Sequence, residues 1–80
     1  MKVNVIKKLA EELDLETIQK LTNQLEEGES LTHEVEGDDE GEQLTHLLGA
    51  AWIREQMQQN GTDLKTELRN FTSRVRNSIS

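Results

Sequence analysis

The sequence predicts an all-α fold of four helices in two αα-hairpins joined by an acidic loop, on three observations. Proline is absent, so nothing in the chain is barred from a helix interior. Apolar residues recur three and four apart in four separate stretches, and no stretch of useful length alternates as a strand would. Between those stretches stand residues that start and stop helices, among them Asp14, Gly28, Asp39 and Gly61.

The first helix is expected at about 4–13, where Val5, Ile6, Leu9, Ala10 and Leu13 form one stripe and Lys7, Lys8, Glu11 and Glu12 the far side. Asn4 is its expected N-cap. The second is expected at about 15–27, and so short a break makes the two near neighbours, in an αα-hairpin or a sharp corner. Asp14 caps it, Leu15, Ile18, Leu21 and Leu25 face inward, and Gly28 supplies the left-handed stop. Residues 28–41 are expected to be a mobile, hydrated loop, with one helical turn around Leu31 and Val35. From Glu26 to Glu42 there are nine acidic residues and no base.

The third helix, about 40–59, carries the most apolar stretch and the single tryptophan, and is expected to be the centre onto which the rest folds. Asp39, three residues before Glu42, resembles a capping box. Leu44, Leu47, Leu48 and Ala51 make one stripe; Ala50, Ile53 and Met57 make a second; Trp52 lies on a third side. So wide an apolar arc implies contact on more than one side. Gly49 sits inside the helix at a cost of about 1 kcal/mol relative to alanine. Close approach of another helix would offset that, from this chain or across an interface with a second copy or a partner. The expected interface residues are Gly49, Ala50, Trp52, Ile53 and Met57, and a Gly49→Leu variant is expected to separate association from folding. The fourth helix, about 63–78, is capped by Thr62 or Asp63. Its stripe is Leu64, Leu68, Phe71 and Val75, extended by Ile79, and residues 77–80 are expected to fray.

Bulk properties exclude several functions. Eighty residues make one domain, 1–80, near the lower limit for a self-sufficient core. With one Trp, one Phe and no Tyr, that core must be mostly aliphatic. There is no cysteine, hence no disulfide framework and no thiolate chemistry. No apolar run approaches the roughly 20 residues of a membrane span, and the early lysines do not fit a secretion signal, so a cytoplasmic setting is expected. The net charge is −7. Residues 1–43 hold 4 basic and 13 acidic side chains, a balance of −9; residues 44–80 hold 5 basic and 3 acidic, a balance of +2. Neither nucleic acid nor an anionic membrane is an expected partner, since both require dense positive charge. The sparse cations Lys65, Arg69 and Arg76 could instead receive the acidic loop, from the same chain or another.

Sites for chemistry are weak. An EF-hand register on Glu36, Asp38, Glu40 and Gly41 places the turn glycine correctly. It then puts Leu44 at the ninth position and Leu47 at the twelfth, where a bidentate glutamate is needed. His33-Glu34-Val35-Glu36 lacks the second histidine of a zinc-protease helix. His46, with Glu42 one turn back, is expected to be half-exposed and paired with it. No phosphate loop, nucleophile elbow or Ser–His–acid set is present, so neither an enzyme nor a cofactor is expected. The leading expectation is a non-catalytic protein that self-associates or docks a partner through the central helix. The alternative is a metal- or ligand-responsive regulator using the acidic loop and His46.

Several segments together resemble a family of short, uncharacterised, all-helical bacterial proteins of about 80–90 residues. They are residues 1–9, Glu16-Thr17-Ile18, Gly49-Ala50, Gly61-Thr62 and Leu68-x-x-Phe71-x-x-Arg74-Val75-x-x-Ser78-Ile79. The pattern departs at Asn4 and Asp63, where the family carries proline, a mild change at early helical positions. The resemblance implies a helical fold and a bacterial cytoplasm, and brings no functional residues.

Overall fold

The structure, a computed structural model, describes residues 1–79 as four helices: α1 Val3–Glu12, α2 Leu15–Glu26, α3 Glu40–Asn60 and α4 Leu64–Ile79. Ser80 lies outside the described residues, as do the side chains of Ser78 and Ile79, so the expected packing of Ile79 falls there too. Residues 77–79, expected to fray, continue α4.

Local signals set most helix ends. Asp14 Oδ1 accepts from Thr17 N at 2.9 Å, Asp39 Oδ1 from Glu42 N at 2.8 Å and Asp63 Oδ1 from Thr66 N at 2.8 Å, each filling an orphan amide. Of the two candidates before α4, Asp63 is therefore the cap; the Thr62 hydroxyl goes elsewhere. Helix α2 closes as a Schellman motif. Gly28 has φ 74°, with Gly28 N–H bonded to Leu25 O and Glu29 N–H to Gln24 O. Gly61, φ 62°, ends α3 in the same left-handed conformation.

The start of α1 differs from expectation. Lys2, not Asn4, is the N-cap, and no side chain caps it. The Lys2 carbonyl accepts from Val5 N and Ile6 N, while its own N–H donates to His46 Nε2 at 2.9 Å. A tertiary bond to α3 thus begins the helix earlier than the cap-forming side chain at Asn4 would.

Helix α3 is the hub. Helices α1, α2 and α4 all pack on it, and α1 also touches α4. Between α1 and α2 there is little direct contact, so the first pair turns a corner over α3 rather than forming a side-by-side hairpin. The core is aliphatic: Ile6, Ile18, Leu21, Leu47 and Ile53 are fully buried, with Val5, Leu9, Ala10 and Ala50 around them. At a rise of 1.5 Å per residue, the 21 residues of α3 span about 31 Å, comparable with the longest dimension of 32 Å.

The acidic segment contains no helical turn at 30–35 and is not a free loop. Val35 is buried in the core, and its carbonyl accepts from Gln43 Nε2 at 2.9 Å. Thr32 N–H and hydroxyl both reach Gln24 Oε1 on α2. Asp38 N–H donates to Glu42 Oε1 at 2.9 Å, and Glu36 O accepts from His46 Nδ1 at 2.8 Å. Glu29, Glu34, Glu36 and Asp38 are exposed to water while the backbone is fastened to α2 and α3. Among the described residues no ion pair links this segment to α4; the only one found joins the Met1 ammonium to Glu42 Oε2 at 3.6 Å.

Candidate docking groove between α3 and α4

Trp52 lies half-buried on the side of α3 that meets α4. Its ring sits 5.9 Å from that of Phe71 at a tilt of 49°, within the range where aromatic pairs attract. Arg74, one turn beyond Phe71, lays its guanidinium over the Trp52 ring, 5.3 Å from the centroid. Such a stack is worth about 0.5–1 kcal/mol at an exposed site. Beside this group runs an open groove of about 370 Å³, lined chiefly by Met1, Leu48, Gly49, Trp52, Phe71 and Arg74. Leu48 is 53% exposed and Met1 49%, the two most exposed large apolar residues found.

The five expected interface residues divide. Gly49, Ala50 and Ile53 are buried inside this chain, and of the three only Gly49 reaches the lining of the groove. A Cβ at Gly49 would stand 3.0 Å from Ile6 Cδ1 and 3.1 Å from Phe71 Cζ. The bare backbone at Gly49 therefore serves the packing of α1 and α4 on α3. Gly49→Leu is consequently a folding variant, not a clean test of association. The wide apolar arc of α3 is answered by three helices of its own chain. Trp52 lines the groove, whereas Met57 is half-buried against the core away from it. Leu48 shares a stripe by spacing with Leu47 and Ala51, which are buried, but itself faces out. Leu48, Phe71 and Arg74 were missed as site residues. The usable signal was the i,i+3 pair Phe71 and Arg74 on α4, which needs only an aromatic on α3 to form a stack.

His46 is fully buried, not half-exposed, and its hydrogen-bond partners are Lys2 N–H and Glu36 O rather than the Glu42 carboxylate. Accepting at Nε2 and donating at Nδ1, it is the neutral tautomer with its proton on Nδ1. It joins the start of α1, the acidic segment and α3. Glu42 nearby is held below its ordinary carboxyl value by the Asp38 amide first, then by the Met1 ammonium and Lys2.

A second buried polar cluster closes the α3–α4 turn. Glu67, 1% exposed, accepts from Thr62 Oγ1 at 2.5 Å, Asn70 Nδ2 at 3.1 Å and Asn60 Nδ2 at 3.3 Å. The Thr62 hydroxyl, then Asn70, lower its carboxyl against the opposing effect of burial. Its partners come from the end of α3, the turn and α4, so the cluster ties the two helices together.

Among the described residues no group of three or more His, Cys, Asp or Glu is placed to hold a metal ion. No described helix is long and apolar enough to cross a membrane. No curated protein and no solved structure matches the chain. A family model does match, over residues 1–80, the whole of the sequence. Together with the four helices and absence of strands among the described residues, that match places the chain in the family of unknown function DUF6952.

Proposed function

We propose that this protein is a non-catalytic interaction module that docks another protein through the α3–α4 groove. The observation that carries the reading is the exposure of Leu48 beside a half-buried Trp52. In a core-poor chain, a large aliphatic side chain left in water next to the single tryptophan is costly unless something covers it. Tryptophan and arginine are the residues most often found at the energetic centre of protein interfaces, and here they are stacked on one another.

A photo-crosslinking amino acid placed at Leu48, and separately at exposed Lys20 on α2, tests the reading in cells that make the protein. The expected result is one discrete crosslinked species from Leu48 and none from Lys20. Equal labelling from both positions, or none from either, would remove the groove from consideration.

A further inference from the structure

We infer that the occupant of the groove is a partner segment that pairs bulky aliphatic side chains with a carboxylate, received by Arg74. The inference rests on the docking reading and adds the chemistry of what docks. Among the lining residues of the groove the charged groups are the Arg74 guanidinium and the Met1 ammonium, and none is acidic. The ammonium is already paired with Glu42. Arg74 is exposed and has no carboxylate within ion-pair distance among the described residues.

Its guanidinium lies over Trp52, 5.3 Å from the ring centroid, and carries forked N–H donors that match a carboxylate. Stacking also restrains an otherwise mobile side chain, so less freedom is lost when a carboxylate is bound. The groove beside it, walled by Leu48, Trp52 and Phe71, takes aliphatic groups.

A second copy of this chain fits less well. A two-fold contact centred on the groove would bring two Arg74 side chains, like charges, into one interface. A basic segment would meet Arg74 with like charge. Of the carboxylates of residues 26–42, Glu42 reaches the rim of the groove, where it is paired with the Met1 ammonium rather than with Arg74.

The test is selection of short random peptides displayed on phage against the wild-type protein, Arg74→Glu and Leu48→Asp. Both altered side chains are exposed, and thermal melts confirm that each variant folds. Trp52, the only tryptophan, reports binding of the selected peptides by fluorescence. The expected peptides from wild type combine Leu, Ile or Phe with Asp or Glu. They bind Arg74→Glu weaker by roughly tenfold or more, the scale of a lost charge-assisted bond. Selection on Arg74→Glu then yields basic peptides instead. Apolar peptides without acidic enrichment that still need Leu48 would overturn this inference and leave the docking reading intact. Binding indifferent to Leu48→Asp would end both. A concentration-dependent dimer abolished by Leu48→Asp would show that the occupant is a second copy and overturn the inference.

Discussion

At Gly37 the acidic segment passes so close to α3 that an added Cβ would stand 2.7 Å from Gln43 Cγ and 2.8 Å from Gln43 N. The second contact is with backbone, which no rotamer change relieves. Gly37→Ala should therefore destabilise the fold by about 1–3 kcal/mol, read as a lowered midpoint in urea. His46 makes a comparable demand. His46→Phe keeps the bulk but leaves Lys2 N–H and Glu36 C=O without partners. It should cost about 1–3 kcal/mol, and amide exchange should accelerate at the start of α1 and in the acidic segment together. Such contacts join residues 44 and 10 positions apart, which is why spacing alone missed them. His46 looked like one more polar residue near Glu42, and nothing local distinguished a buried histidine from an exposed one. The helix caps, by contrast, were legible at Asp14, Asp39 and Asp63, because donor and acceptor lie three residues apart.

Between elements, Arg54 carries a tie that periodicity does not reveal. Its Nε donates to Ala10 O at 2.7 Å, satisfying one of the carbonyls left free at the C-terminal end of α1. The guanidinium also sits where the α1 dipole favours positive charge. Arg54→Met should lower stability by about 1–2 kcal/mol and loosen the last turn of α1 first, as resolved by hydrogen exchange residue by residue. The stripes of α1 and α4 were readable from spacing because each of these helices buries one face. Helix α3 was not, since it is covered on several sides and its own pattern leaves the outward residue undetermined. Only the landing site of α4 decides that Gly49 is covered while Leu48 stays in water. The same uncertainty hid the bend between α1 and α2, whose short link fits either a hairpin or a corner.

For the whole molecule, charge and stability are linked through a few carboxyls. Glu67 and Glu42 titrate below the ordinary 4.5, and Asp14 and Asp63 below 3.8, because hydrogen bonds favour their ionised forms. The unfolded chain thus takes up protons first as pH falls. The stability these groups contribute is complete above the unfolded values and is lost as pH drops through the lower folded ones. Melting temperature should be flat near neutrality and decline below about pH 4.5, and Glu67→Gln should flatten part of that decline. A melting temperature that rises on acidification through this window would contradict the assignment.

Composition alone indicated a small aliphatic helical domain, and that much of the molecule was visible without coordinates. The docking face was not, because it is made where two helices distant in sequence meet. The most direct measurement of the central claim is affinity capture from the protein's own cells with wild type and Leu48→Asp side by side. Melting temperature is recorded for both. The groove account predicts equal melting temperatures and loss of a stoichiometric partner in the variant. Retention of the same partner by a folded Leu48→Asp protein would contradict it.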